Sequence, residues 1–109
     1  MSIRCKLIAA FSIGFCLAAG VAIAADRIIG QKGKMFSEME VTVKVGETLV
    51  YVNDDGVTHN VQSTSAGNEF NIGSQAPGDS TPVIFKAAGD VKIICAIHPR
   101  MTMMVKVVK

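Results

Sequence analysis

The segment Val41-Thr-Val-Lys-Val-Gly-Glu-Thr-Leu-Val-Tyr-Val-Asn-Asp-Asp-Gly56 contains two β-strand patterns separated by a turn. Val41–Val45 alternates apolar with polar residues, as expected of a strand with one buried face. Leu49–Val52 follows and stops at Asn53-Asp-Asp-Gly56, which is a strong turn signal. The segment therefore predicts two neighbouring strands, which need not form a tight hairpin.

The chain after this segment continues the all-β pattern. Further strands are predicted at 57–62, 82–85, 91–95 and 104–108. The intervening stretch 63–81 is rich in Ser, Gly, Asn and Pro and is predicted to be mostly loop. Beyond residue 25, no stretch keeps a helical apolar period for three turns. Six or seven short strands at this spacing predict a β-sandwich or barrel.

The N-terminus has the pattern of a secretory signal peptide over residues 1–25. Arg4 and Lys6 form a basic start, an apolar stretch follows, and small residues end it at Ala24 and Ala25, where cleavage is expected. The alternative is a retained anchor helix, since the run approaches the roughly 20 apolar residues that a bilayer needs. The small-residue ending favours cleavage, and hence a periplasmic domain over residues 26–109 with no membrane span.

Removal of the signal segment changes the overall counts. The whole chain has 109 residues, three cysteines and a formal charge of +2. From Asp26 onward, nine Lys/Arg balance nine Asp/Glu, and Cys95 is the single remaining cysteine. With half the residues hydrophobic and 18% charged, a disordered tail or a charge-driven nucleic-acid binder is excluded. A small exported domain with no possible internal disulfide suggests stabilisation by a metal.

The cysteine and both histidines of the domain form one candidate ligand set: His59, Cys95 and His98. Singly, such residues are more often a buried small hydrophobe and surface imidazoles. Two imidazoles and a thiolate, with a nearby Met thioether, are together the donors of an electron-transfer copper site. The paired spacings of structural zinc sites and the C-x-x-C-H motif of c-type haem are absent from the sequence.

Three motifs resemble the cupredoxins, the small blue copper proteins, and most closely the amicyanin, plastocyanin and pseudoazurin group. Lys44-Val-Gly-Glu-Thr48 with Val50-Tyr-Val-Asn53 is similar to the "VKVGDTV…WxN" strand pair of the family. Thr58-His-Asn-Val61 resembles its "HNV" element. Cys95-Ala-Ile-His-Pro-Arg-Met101 is similar to "C-T-P-H-P-F-M". The resemblance covers nearly all of residues 26–109 and implies a Greek-key sandwich of two sheets.

The resemblance also implies the roles of individual residues. His59, Cys95 and His98 would bind one copper ion, and the backbone amide of Asn60 would donate to the Cys95 sulfur. The axial ligand is Met101 by the spacing of amicyanin and Met103 by that of plastocyanin. Counting from Met101 leaves enough residues for a full terminal strand, which favours Met101.

The predicted function is periplasmic electron transfer, with copper cycling between Cu(II) and Cu(I) and no enzymatic turnover. A c-type cytochrome or a periplasmic dehydrogenase would be the redox partner of a monomeric carrier. A basic rim residue, Arg100, stands where amicyanin has an aromatic side chain, and would complement an acidic partner. The alternative function is a copper chaperone or storage protein, motivated by Met101, Met103 and Met104 close to His98.

Overall fold

The computed structural model describes residues 26–109, so the predicted signal peptide lies outside the described residues. Nine strands and no helix are found in the described range. They are β1 (Arg27–Lys32), β2 (Met35–Phe36), β3 (Glu40–Lys44), β4 (Thr48–Asn53), β5 (His59–Ser63), β6 (Phe70–Gln75), β7 (Ser80–Ile84), β8 (Gly89–Ile94) and β9 (Thr102–Val108). This part of the chain therefore contains no helix that could span a membrane.

The strands form two mixed sheets. One has the order β2-β1-β4-β7 and the other the order β3-β9-β8-β5-β6. Parallel pairing joins β1 to β4 and β3 to β9, whereas the remaining pairs are antiparallel. The predicted all-β fold with two sheets is confirmed.

Alternate residues of the strands build the core. In β9, Met103, Val105 and Val107 are buried, while the residues between them are only partly buried. Phe36 meets the ring of Tyr51 edge to face, with ring centroids 5.9 Å apart. Each fully buried large apolar side chain contributes about 1.5–3 kcal/mol. This burial holds the two sheets together, and the loops that carry the chemistry project from one end of them.

The expectation that the first two predicted strands are neighbours in a sheet is wrong. β3 pairs with β9 and β4 pairs with β1 and β7, so the two strands lie in different sheets. The turn between them contains Gly46 at φ 92°. A hydrogen bond of 2.7 Å from the Gly46 amide to the Phe85 carbonyl fixes this turn. Alternation specifies which face of a strand is buried, but it does not specify the partner strand.

The prediction of mostly loop over residues 63–81 is also wrong where β6 lies. This strand occupies a sheet edge, and most of its side chains are partly or fully exposed. It contains Gly73 at φ 79°, and its pairing with β5 shifts register between Asn60 and Gln62. A bulged edge strand of this kind lacks the apolar alternation from which strands are predicted.

A layer of buried side-chain amides links the two sheets at the end from which the loops with the candidate ligands project. Gln31 of β1 donates to Gln75 of β6 at 2.5 Å, and Gln75 donates to the Tyr51 carbonyl at 2.9 Å. Asn53 donates to the carbonyls of Val57 and Gln75, both at 2.9 Å. Since Gln75 pairs with His59 across β5 and β6, the layer fixes the base of the loop that carries His59.

Candidate metal centre

The structure brings together three of the residues predicted as copper ligands, His59, Cys95 and His98. One potential ligand atom from each lies within 4.8 Å of the other two. The Cys95 Sγ is 4.0 Å from His59 Nδ1 and 3.8 Å from His98 Nδ1, and the two Nδ1 atoms are 3.1 Å apart. Three donor atoms therefore face a common point at the end of the two sheets.

The three residues differ in their access to solvent. His59 begins β5 and Cys95 follows β8, and both side chains are buried. His98 lies on the loop between β8 and β9 and is half-buried. The site is consequently closed on the side of the core and opens to the surface at one imidazole.

The loop from Cys95 to Met101 is closed by two backbone hydrogen bonds. The amide of Cys95 donates to the Met101 carbonyl at 3.1 Å, and the amide of Met101 donates to the His98 carbonyl at 2.9 Å. Pro99, which has no backbone N–H, stands at the tip. Met101 is buried, with 1% of its surface exposed. The backbone thus holds this thioether residue next to both Cys95 and His98.

The alternative axial residue, Met103, has a different environment. Its Sδ accepts a hydrogen bond from the Tyr51 hydroxyl at 3.6 Å within the apolar core. Burial also raises the pKa of Tyr51, so its hydroxyl stays protonated and able to donate. These contacts support Met101 as the axial candidate, with Met103 as a core residue.

Asn60 connects β5 to the ligand loop through both its backbone and its side chain. Its amide donates to Cys95 Sγ at 3.3 Å, and its Oδ1 accepts from the amide of Ala96 at 3.1 Å. Its Nδ2 donates to Asn71 Oδ1 and to the Gly73 carbonyl, both at 2.9 Å. The amide-to-sulfur contact expected from the resemblance is therefore present, and the side chain holds it in place.

Asp55 borders the far side of the His59 ring and was not among the residues predicted from the sequence. Its Oδ2 lies 2.9 Å from His59 Nε2 and accepts from the amide of Lys34 at 2.9 Å. The Lys34 amide, followed by the His59 ring, holds the pKa of Asp55 well below its usual range. In the sequence, Asp55 is part of a turn motif, and a turn carboxylate gives no indication of which ring it faces.

A cleft of about 570 Å³ adjoins His98 at the surface. It is lined by Lys34 and Met35 of the β1–β2 hairpin and by His98, Pro99, Arg100 and Met101 of the ligand loop. Met35 is 57% exposed, and Ile97 beside the cleft residues is 48% exposed. The half-buried imidazole thus lies within a surface that is apolar apart from two cationic side chains.

The donor set fits copper in either oxidation state. A thiolate and a thioether favour Cu(I), and imidazole suits both Cu(I) and Cu(II). Among the described residues, Cys95 is the one free cysteine, and it is buried with an N–H directed at its sulfur. Such a donor can stabilise the thiolate that a metal requires.

The sequence belongs to a known family of copper proteins. Residues 24–109 match the family model of copper binding proteins of the plastocyanin/azurin family, and the chain is therefore a cupredoxin. Membership implies that its metal is copper and that its chemistry is copper-based electron transfer, not enzymatic turnover.

Individual relatives agree with this assignment. Chloroplastic plastocyanin of Hordeum vulgare is 30% identical over 109 residues, with 90% of this chain and 70% of plastocyanin covered. A purple cupredoxin from Nitrosopumilus maritimus is 29% identical at a TM-score of 0.66, covering 75% of this chain and 99% of that one. An amicyanin variant in its reduced Cu(I) form is 25% identical at a TM-score of 0.71, covering 83% and 88%.

Proposed function

We propose that the protein is an exported carrier of single electrons whose one copper ion is held by His59, Cys95 and His98, with Met101 as axial ligand. The observation that carries the proposal is that three donor atoms lie within 4.8 Å of one another. Their site is buried on the side of the core and borders an exposed cleft on the other side. Copper bound there supplies a one-electron couple between Cu(II) and Cu(I).

The surrounding protein is suited to keep the donors fixed while the charge of the site changes. Cys95 is restrained by the Asn60 amide, which donates to its sulfur, and by the Met101 carbonyl, which accepts from its amide. His59 is restrained on its outer edge by Asp55. A site whose donors do not need to move has a small reorganisation cost on electron exchange. These hydrogen bonds therefore support electron transfer more strongly than they support a site that must open to release its metal.

Electrons are proposed to enter and leave at His98. This imidazole lies at the cleft, where apolar groups of Met35 and Pro99 would exclude water from a docked partner. Lys34 and Arg100 border the same cleft and favour partners with acidic docking surfaces. A c-type cytochrome or a periplasmic dehydrogenase with such a surface is the proposed partner, engaged by a monomeric carrier.

Export remains part of the proposal, and it rests on the sequence pattern of residues 1–25 together with the family of the domain. Mass spectrometry of the protein purified from the periplasmic fraction is expected to show an N-terminus at Ala25 or Asp26. Full-length protein in the membrane fraction would instead favour a retained anchor.

A copper chaperone or storage protein is the second candidate function. One observation favours it: the thioether of Met35 is exposed at the cleft next to His98, where it could receive or release Cu(I). Against it, two of the three methionines that first suggested this function, Met101 and Met103, are buried. They are consequently not available to pass a metal ion across the surface.

Protein-film voltammetry together with a copper-transfer assay separates these two functions. An electron carrier gives a reversible one-electron wave, exchanges electrons with a c-type cytochrome, and retains copper in the presence of a moderate Cu(I) chelator. A chaperone would lose its copper to the chelator within the time of the assay and would give no reversible wave. The second result would contradict the proposed function.

A further inference from the structure

The chain contains a hydrogen-bonded link between the buried imidazole of His59 and the surface hairpin that borders the cleft. Asp55 Oδ2 is 2.9 Å from His59 Nε2 and 2.9 Å from the backbone nitrogen of Lys34. Its other oxygen, Oδ1, accepts from the amide of Gly56 at 3.0 Å. One carboxylate therefore joins two segments that are far apart in the sequence.

The geometry of Asp55 constrains the proton of the His59 ring. A carboxylate that already accepts two backbone N–H groups is an acceptor, so Nε2 must carry the proton that it shares with Asp55. The other ring nitrogen, Nδ1, then has a free lone pair, and it is this atom that faces Cys95 and His98. A metal-binding histidine is commonly held in the required tautomer and orientation in this way.

The hairpin end of the link is a strained turn. Gly33 and Lys34 connect β1 to β2 with φ values of 63° and 60°, and Lys34 is the one described residue other than glycine with a positive φ. A residue with a Cβ is strained in this region because the Cβ lies too close to the following carbonyl oxygen. The hydrogen bond from the Lys34 amide to Asp55 offsets part of that strain and fixes a turn whose residues 34 and 35 line the cleft.

We propose that Asp55 is the positioning residue of this copper site, which selects the Nε2–H tautomer of His59 and at the same time fixes the hairpin that forms one wall of the cleft. The inference rests on the proposed ligand set. Its carboxylate also places a negative charge on the outer edge of a ligand, which favours Cu(II) over Cu(I) because Cu(II) carries the larger positive charge.

Two substitutions separate the geometric role from the charge. Asp55→Asn keeps one side-chain oxygen for His59 and Lys34 but removes the charge and the acceptor of the Gly56 amide, whereas Asp55→Ala removes every side-chain acceptor. Asp54→Asn is the matched control, because it removes the same charge from the adjacent, exposed residue. The nearly isosteric Asp55→Asn change also tests the proposal if Asp55→Ala fails to fold.

The first measurement uses the metal-free protein and does not depend on any property of copper. Long-range ¹H–¹⁵N NMR correlations are expected to show His59 protonated at Nε2 in the wild type, in Asp55→Asn and in Asp54→Asn, and as a tautomer mixture in Asp55→Ala. Amide hydrogen exchange at Lys34 is expected to be faster in Asp55→Ala only. A wild-type His59 protonated at Nδ1, or an unchanged tautomer in Asp55→Ala, would overturn the proposal.

The second measurement compares Cu(II) and Cu(I) affinities by competition with chelators. Asp55→Asn is expected to lower Cu(II) affinity by roughly 10- to 100-fold, as removal of an outer hydrogen-bonding partner usually does, with a smaller loss for Cu(I). Asp54→Asn should change both affinities little. Equal losses of Cu(II) and Cu(I) affinity in Asp55→Asn would contradict the charge role. If neither the wild type nor any variant binds copper, the proposed function is wrong. The NMR measurement would still decide whether Asp55 selects the His59 tautomer.

Discussion

The hydroxyl of Tyr51 donates a hydrogen bond to the sulfur of Met103 at 3.6 Å, inside the core and across the two sheets. This contact distinguishes two methionines that sequence spacing leaves as competing axial ligands. The Met103 side chain packs in the core and accepts the Tyr51 hydrogen bond. Met101, in contrast, is held by backbone hydrogen bonds next to Cys95 and His98. We therefore propose Met101, and not Met103, as the axial ligand.

Substitution of the two methionines by leucine is expected to have different consequences. Met101→Leu should retain copper but change the visible and electron-spin-resonance spectra, because the axial ligand tunes such sites. Met103→Leu should leave both spectra unchanged and cost less than about 1.5 kcal/mol in the free energy of unfolding, as volume-conserving swaps usually do. Spectral changes confined to Met103→Leu would show that the axial assignment is wrong.

Removal of the Tyr51 hydroxyl is expected to change how stability depends on alkaline pH. Burial raises the pKa of Tyr51 above its ordinary value of 10.0. Above about pH 10 the unfolded chain therefore loses this proton more readily than the folded protein does, and the stability falls. Tyr51→Phe should cost about 1 kcal/mol at neutral pH, through loss of one hydrogen bond, and should then lack this alkaline component.

Denaturant unfolding of the wild type and Tyr51→Phe at a series of pH values measures this difference. Because Tyr51 is the single tyrosine of the chain, the tyrosinate absorbance reports its ionisation directly. A normal titration near pH 10 in the folded protein, or parallel stability curves for both proteins, would contradict the predicted effect.

Asn60 is expected to affect the copper site through its contacts with the ligand loop. In Asn60→Ala, the amide of Ala96 loses its acceptor, which should cost about 1–3 kcal/mol in unfolding free energy and loosen the contact between the Asn60 amide and the Cys95 sulfur. The reduction potential should shift as a result. Asn71→Ala is the control, since Asn71 contacts the side chains of Asn60 and Gln62 and the amide of Gly73 but not the ligand loop.

Chemical denaturation and voltammetry of these two variants give the required comparison. Both should be less stable than the wild type, and only Asn60→Ala should have a changed potential. An equal shift of potential in Asn71→Ala would mean that the effect is transmitted by general loss of stability and not by the contact with the loop.

The all-β fold and the three candidate copper ligands could be predicted from the sequence, because buried faces and rare residue types leave a local pattern. Features without such a pattern could not be predicted. Alternating residues such as Val41 and Val43 report burial of one face. The three candidate ligands are the single cysteine and the two histidines of residues 26–109, so their residue types alone mark them out. The strand β6 could not be predicted, because an exposed edge strand has no buried face to mark it.

The role of Asp55 could not be predicted either. Its partners, the His59 ring and the Lys34 amide, are set by the fold, and an aspartate before a glycine has the pattern of an ordinary turn residue. The parallel pairing of β1 with β4 could not be predicted either, because pairing between strands distant in the sequence leaves no local pattern.

The two cations at the cleft are expected to control reaction with charged redox agents. In the double variant Lys34→Glu/Arg100→Glu, reduction of the Cu(II) protein by anionic ferrocyanide should slow by about 10-fold at low ionic strength. Its reduction by a cationic cobalt(II) complex should accelerate. Salt should diminish both effects, because the screening length is about 8 Å at physiological ionic strength.

Lys44→Glu serves as the control for this prediction in stopped-flow experiments. Lys44 pairs with Val108 at the end of β3 and β9 that is opposite to the ligand loop. Its reversal changes the net charge but not the cleft. Lys44→Glu reverses one charge and the double variant reverses two. If Lys44→Glu slows ferrocyanide by half as much as the double variant on a logarithmic scale, net charge and not the cleft governs the reaction.

The visible absorption spectrum of the copper-loaded protein, compared with that of Cys95→Ser, tests the central claim most directly. The claim is that the Cys95 thiolate binds a redox-active copper together with His59 and His98. We expect one equivalent of Cu(II) to give an intense visible band from the Cys95 sulfur, and we expect that band to be absent from Cys95→Ser. A wild-type protein that binds one equivalent of copper without the band, or a Cys95→Ser protein that keeps it, would contradict the account.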